Sequence, residues 1–412
     1  MNLVLCFLVA FLAPIRFTIV GEITAGELLI PVLLFANWKQ SIFAFRFRIA
    51  KIFLILAALY LASQIFTDIY RSTPSSDYLR GWAKILLTSI SYAAFLGAFY
   101  RSRKNFLAFC FGYIFSTFLQ IAIDGYIAPF DSESYKWRFG IPFTFLTFVF
   151  ASRLLTSNRS ISLQLMLSAA AISLVMNFRS LAGITILATL IVLLATRNSA
   201  KVVSIKKLFA YSALFAIIGI SILQMYAWLA PNGYLGEVAR DKYFMQSRDG
   251  EFSLLSGRSE LFLSLPKIIE SPFVGWGSWA KDSEFVYSRY IEMGRSPSYA
   301  RMLIDGNNGL IPTHSHIFGG WLEAGLFGGV FWITFAWLVF RNLAYMSSNT
   351  ARLQLVLISL SGVMVLWDLI FSPYGAGRRA EMGAYLALHV LMAKDIGFVR
   401  LLPIRLTKGY QR

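Results

Sequence analysis

The chain has 412 residues, 57% of them hydrophobic and only 14% charged, with a mean hydropathy of +0.62. A water-soluble domain carries roughly a quarter of its residues as charges, so this chain must take lipid as much of its solvent. Disorder, collagen, a coiled coil and a disulfide scaffold are excluded. The net charge of +17 would suit a nucleic-acid binder, but the placement of the charge points elsewhere.

A helix needs about 20 mostly apolar residues to cross the hydrocarbon core. Apolar runs fall near 1–19, 24–37, 51–67, 82–100, 105–127, 139–156, 160–176, 180–196, 208–230, 315–340, 353–371 and 381–394. The sequence therefore predicts an all-α, polytopic integral membrane protein with about 12 transmembrane helices. The first pair of runs is interrupted by Pro14, Arg16 and Pro31. The first run lacks a basic leader and a cleavage site, so it reads as a retained membrane helix. Cys6 and Cys110 lie inside apolar runs and read as packing residues. Nine spans occupy 1–230, one long polar loop occupies 231–313, three spans occupy 314–394, and 395–412 form a basic tail.

Basic residues sort the loops into two sides. Lys39, Arg46, Arg48 and Lys51, then Arg101, Arg103 and Lys104, then Arg197, Lys201, Lys206 and Lys207 share a side with the tail. The opposite loops mix signs, as in Asp68, Arg71, Asp77 and Arg80. The positive-inside rule puts both termini in the cytoplasm. The excess charge is then a topology signal, and nucleic acid is not an expected partner. The 231–313 loop balances its charges and falls outside. Loops of that length usually carry function. Within it, Glu260 to Ile269 is apolar enough to lie at the membrane interface, with Pro266 to kink it or end its first turn.

Two of the three histidines stand in Pro312-Thr-His-Ser-His316, where the long loop meets the tenth span. Imidazole titrates near neutrality and suits proton transfer. The structural alternative is capping by Thr313 or Ser315, with the histidines at the interface. His389 lies mid-span and reads as a hydrogen-bonding partner within the bundle. No Asp-x-Asp pair occurs and no third histidine is near, so neither a catalytic metal nor a cofactor is expected. Arg179, Arg258, Arg378 and Arg379 stand on the outer side, where charge bias gives them no role. A guanidinium fork binds phosphate oxygens in pairs; anchoring to lipid phosphate is the plainer alternative. Gly275 and Gly277 form a Gly-rich turn that would let backbone approach a phosphate, or simply turn the chain.

These residues resemble a known family. Gly257-Arg258, Pro272, Gly275 and Gly277, then Thr313-His314-Ser315, then Glu323-Ala-Gly325-Leu-Phe-Gly328 look like the signature of the O-antigen ligase and O-antigen polymerase superfamily. Phe178-Arg179-Ser180-Leu-Ala-Gly183 resembles the family's Ser-, Arg- and Gly-rich helix start. The resemblance covers about 179–330. It implies a glycosyltransferase of the bacterial inner membrane, working at the periplasmic face without metal. The donor would be a glycan on undecaprenyl pyrophosphate. The acceptor would be the lipid A core, for a ligase, or a second lipid-linked glycan, for a polymerase. His314 would be the base, with Arg179 and Arg258 on the pyrophosphate. His316, Arg378, Arg379, Gly275, Gly277 and Glu323 are the further candidates for substrate contact. The competing reading is a twelve-helix flippase or carrier, for which Asp124, Asp368 and His389 are the charged or polar residues deep in spans.

Overall fold

The computed structural model describes residues 2–18, 21–124, 140–155, 158–176, 178–197, 224–248, 251–252, 263–293, 295–346 and 352–395, with isolated positions 213, 217 and 221. The described residues are dominated by helix. Strand is confined among them to two short antiparallel pairs, Arg16–Thr18 with Glu22–Thr24 and Ser247–Arg248 with Glu251–Phe252. Six described helices are long and apolar enough to cross a membrane: Arg48–Tyr70, Ser75–Arg101, Lys104–Ile123, Arg179–Thr196, Leu326–Ala344 and Leu353–Phe371. Shorter apolar helices, including Asn2–Phe11, Ile141–Leu154 and Arg159–Val175, pack against them. The 208–230 run lies largely outside the described residues.

The centre of the bundle is the contact between Ser75–Arg101 and Arg379–Asp395. A Cβ on Gly383 would stand 2.6 Å from the Ser91 side chain and 2.8 Å from the Tyr92 amide. The bare glycine lets these two backbones touch, which is how helices gain van der Waals contact in lipid. The Arg48–Tyr70 helix has two unlike faces. It buries Phe53, Ala57, Tyr60 and Gln64, and it exposes Ile55, Phe66 and Ile69. Such an exposed apolar face is a liability in water and the ordinary solvent face in lipid.

Three expected spans take a different form. The first helix ends at Phe11; Pro14 cannot continue it, and the chain turns into the 16–24 hairpin. The 24–37 run divides into Ala25–Leu28 and Ile30–Ala36. Thr24 starts the first piece with a full capping box, its side chain accepting from the Glu27 amide while Glu27 accepts from the Thr24 amide. The 315–340 run breaks at Gly325 into His316–Ala324 and Leu326–Ala344.

The described part of 231–313 includes the helices Glu237–Gln246, Leu265–Glu270, Ser283–Glu292 and Pro297–Asn307. Its later part shares a small core containing Leu263, Ile268, Val286, Tyr290, Ala300 and Ile311. Leu263 and Ile268 therefore face protein, whereas Ile269 is exposed. Pro266 sits in the first turn of its helix, where a missing N–H breaks no helical bond.

Named polar contacts staple this loop to one end of the bundle. The buried Asp68 carboxylate accepts from the Ser278 amide at 2.6 Å, the Ser278 hydroxyl at 2.7 Å and the Trp82 indole at 2.8 Å. Arg71 donates to the Gly275 carbonyl at 3.2 Å and stacks 4.3 Å from the Trp276 ring centre. Lys281 pairs with Asp77 at 2.6 Å. Within the loop, Lys267 bridges Glu270 and Asp282 at 2.9 and 3.0 Å. Burial acts to raise the Asp282 carboxyl, but the Phe285 amide and the Lys267 ammonium outweigh it, so the group stays below the usual aspartate range. Basic residues gather at another place on the bundle: Lys394 lies 4.5 Å over Phe47 and 4.8 Å over Tyr100, and Arg46 lies 5.4 Å over Phe43.

Candidate active site

The helix break at Gly325 organises the region. Gly325 takes φ +62° and ψ −147°, and a Cβ there would fall 2.1 Å from the Phe273 carbonyl oxygen. Only glycine fits both demands. The broken helix leaves carbonyls unpaired at its C-terminus. The 272–277 turn supplies their donors: the Trp276 amide donates to Leu322 at 2.7 Å and the Gly277 amide to Glu323 at 3.0 Å. Gly275 and Gly277 adopt φ of +87° and +89° and pack against this break and against Thr73 and Asp68. The turn's amides are thus engaged by protein carbonyls, and neither glycine lines the cavity described next.

Under the stapled loop lies a cavity of about 1310 Å³. Its wall takes residues from the 16–24 hairpin, the Lys104–Asp124 helix, the loop, the Pro312–His314 segment and the Pro373–Arg378 turn. His314 lines it, as do Glu323 and Arg378. His314 sits in an extended stretch fixed on both sides. Ile311 donates to the Ala280 carbonyl at 3.0 Å. Ser315 caps the next helix, accepting from the Phe318 amide at 3.2 Å and donating to the Leu369 carbonyl at 2.9 Å. The expected cap is therefore real and falls on Ser315, while the neighbouring His314 remains at the cavity wall.

His316 goes the other way. Its side chain is fully buried, with Nδ1 2.8 Å from the Ser372 carbonyl oxygen. It packs 5.2 Å from Trp332 and 4.8 Å from Tyr374, ring centre to ring centre. It is not at the interface and does not line the cavity. The helix begins at His316, so its side chain leaves on the bundle face while His314, still extended, faces the opening.

The expected arginines separate. Arg378 lines the cavity and reaches Asp368 at 2.5 Å and Glu381 at 3.8 Å, both through Nη1. Arg379 is buried in a bidentate pair with Glu27, at 2.6 and 2.7 Å, and donates to the Glu22 carbonyl at 2.6 Å. It ties the last helix to the N-terminal hairpin. Arg179 starts its helix with the guanidinium 4.3 Å over the Tyr226 ring and does not line the cavity. Arg258 lies outside the described residues.

The lining also includes residues that the sequence reading did not place at a site, among them Arg16, Glu22, Lys84 and Trp279. Lys84 is the plainest omission. It stands inside the predicted 82–100 span, and an ionisable residue inside a span marks a paired or functional position. Its ammonium donates to the Glu323 carboxylate, and both side chains are largely buried. The cavity cations thus each meet a carboxylate: Arg16 with Glu22 at 3.1 Å, Lys84 with Glu323, and Arg378 with Asp368 and Glu381. The Arg16–Glu22 pair is about half exposed, so it opens at little cost. Arg16 also borders the Arg378 turn: a Cβ on Gly377 would stand 3.7 Å from its Nη2. Among the described residues, no three His, Cys, Asp or Glu side chains cluster as metal ligands do.

Helical content, six apolar helices long enough to span and exposed apolar faces make this an α-helical membrane protein, with a charged, aromatic-lined cavity among the described residues. No family model matches the chain, and no curated protein matches it in sequence.

Proposed function

We propose that the chain is a glycosyltransferase of the bacterial inner membrane. It moves a glycan from undecaprenyl pyrophosphate to an acceptor hydroxyl at the periplasmic face, as an O-antigen ligase or polymerase does. In this reading the chain crosses the membrane about 12 times, both termini are cytoplasmic, and the 231–313 loop covers the periplasmic end. One observation carries the proposal: His314, the residue matching the family's base, opens onto the same cavity as Arg378, Arg16 and Lys84. A proton acceptor beside cations is the pairing that displacement of a pyrophosphate needs.

The acceptor oxygen attacks the anomeric carbon and forms the new glycosidic bond. The bond from that carbon to the pyrophosphate oxygen breaks, and its electron pair leaves with the phosphate. His314 takes the hydroxyl proton. Arg378, which donates to Asp368 through Nη1, offers the rest of its fork to the departing charge. Arg16 joins it when the exposed pair with Glu22 opens. Arg378 and Arg16 thus join Arg258, which lies outside the described residues, in the pyrophosphate role, while Arg179 does not line the cavity. A single displacement inverts the anomeric centre. Neither a metal nor a cofactor enters this route.

The pairing of every cavity cation with a carboxylate also suits a lipid-linked glycan flippase or another twelve-helix transporter. Detergent separates the two readings, because it leaves no two sides to transport between. Purified protein should convert lipid-linked glycan into transferred or elongated product, followed by gel mobility of the glycan. Absence of turnover by folded protein, supplied with the lipid-linked glycan and acceptor lipids of its own cells, overturns the enzyme reading.

A further inference from the structure

Trp279 is out of place by every local rule. It adopts φ +55°, a region that bulky residues enter only under constraint. The constraint is visible on both sides. Ser278 is held by Asp68 through its amide and its hydroxyl, and the Ala280 carbonyl accepts from Ile311 at 3.0 Å. Between these fixed neighbours, residue 279 takes the left-handed conformation. Gly275 and Gly277 meet similar demands in the same segment with glycine. Position 279 carries the largest side chain instead. Its indole N–H is buried with no acceptor among the described residues, so the ring gains no hydrogen bond there. Strain of this kind persists where the side chain is needed.

The ring lines the cavity together with Tyr374 and Lys84. The Lys84 ammonium lies 5.9 Å from the Trp279 ring centre and 5.7 Å from that of Tyr374. An indole wall beside fixed charges, in the cavity that also holds His314, suits a ligand with one flat apolar face and a polar edge. A pyranose ring has that form: its axial C–H bonds present a weakly positive face to the negative face of an aromatic ring, while its hydroxyls reach the charged groups.

We propose that Trp279 is a carbohydrate-stacking platform that fixes one sugar ring against His314. This rests on the glycosyltransferase reading for the site and adds the residue that orients the sugar.

The test uses the full chain in lipid nanodiscs, with two probes. The first is a panel of free hexoses and N-acetylhexosamines, observed by saturation-transfer NMR. The second is sugar-free undecaprenyl pyrophosphate, observed by its displacement of a fluorescent prenyl phosphate. Trp279→Gly accepts φ +55° without strain and Trp279→Phe retains a ring. Both should fold, as judged by thermal unfolding. In the wild-type protein, at least one sugar should show saturation concentrated on the C–H protons of one face. Trp279→Gly should weaken its binding about tenfold, and Trp279→Phe should retain part of the signal. Prenyl pyrophosphate should bind all three proteins alike. If no sugar shows transfer from the wild type, or if Trp279→Gly leaves the signal unchanged, the platform is overturned. If the sugar signal depends on Trp279 while prenyl pyrophosphate fails to bind, the platform stands and the pyrophosphate-donor reading falls.

Discussion

The Lys84–Glu323 pair offers the clearest measurement. Both side chains are almost fully buried, and the lysine donates directly to the carboxylate. Glu323 also occupies the last turn of the His316–Ala324 helix, where the dipole disfavours negative charge. Lys84→Met removes the only cation within ion-pair distance of it among the described residues. Removing one partner of a buried pair typically costs about 3–5 kcal/mol. In a chain of this length that lowers the unfolding midpoint by roughly 3–6 °C. Glu323→Gln should cost a comparable amount, by leaving the ammonium alone. The double variant Lys84→Met/Glu323→Gln should recover more than half of the loss, because no buried charge is left without its partner. Thermal unfolding of purified protein in one detergent, followed by tryptophan fluorescence, measures all four proteins. Additive losses in the double variant would refute the pair as a unit. A loss below about 1 kcal/mol in both single variants would mean that water reaches the pair. Glycan transfer by the double variant then decides the role of Glu323: activity that returns with stability makes it a support of the cavity wall.

Other outcomes follow from the same geometry. His314→Ala should reduce transfer at least ~100-fold with little change in unfolding temperature. His316→Ala should destabilise by roughly 2–4 kcal/mol, through loss of a buried ring and its bond to Ser372; the reverse pattern would exchange their roles. Arg378→Lys keeps charge but loses the fork and should lower transfer about tenfold to hundredfold, whereas Arg179→Ala, off the cavity, should change transfer less than threefold. Equal losses in the two would show that Arg179 reaches the substrate. Gly325→Ala should cost about 3 kcal/mol or more, from a strained φ and a clash with Phe273; unchanged thermal unfolding would mean that the break is not required. Cysteines at Ser288 and Ser204 test orientation on intact spheroplasts with an impermeant thiol reagent, against a low background because Cys6 and Cys110 are buried. Labelling should occur at Ser288; labelling at Ser204 alone inverts the topology.

Long helices were legible because their only requirement is a long apolar run, and Arg48–Tyr70, Lys104–Asp124 and Arg352–Phe371 fall close to the expected bounds. Breaks were less legible. Pro14 and Pro31 announced theirs, since proline removes a donor. The break at Gly325 did not, because glycine is common in membrane helices, and only the Phe273 carbonyl beside it makes the residue obligatory. Partnership was legible least. Arg378 and Arg379 are adjacent in sequence and alike in chemistry, yet one lines the cavity and the other is locked to Glu27, 352 positions away. The pairs Lys84–Glu323 and Asp68–Ser278 likewise join segments more than 200 residues apart, and no local pattern encodes that.

The family-like motif can be resolved into separate physical tasks. Ser315 caps a helix. Gly325 permits the turn between two helices. Gly328 allows close approach, since a Cβ there would stand 2.0 Å from the Gly320 carbonyl oxygen. Three of the four matching positions thus build a helix break, and His314 alone among them opens onto the cavity. The spacing between histidine and glycines is then set by the helix between them. Nine residues, His316–Ala324, cover about 13 Å at 1.5 Å per residue, too short to cross a bilayer. A half-helix of that length ends inside the bundle and must return. It carries the Glu323 carboxylate to the cavity wall, where Lys84 meets it. The Ser315 cap starts the helix that buries His316, and the Ile311 and Ser315 bonds hold the segment before it. A glycine-dependent half-helix is therefore a device for bringing one histidine and one ion pair to a single cavity.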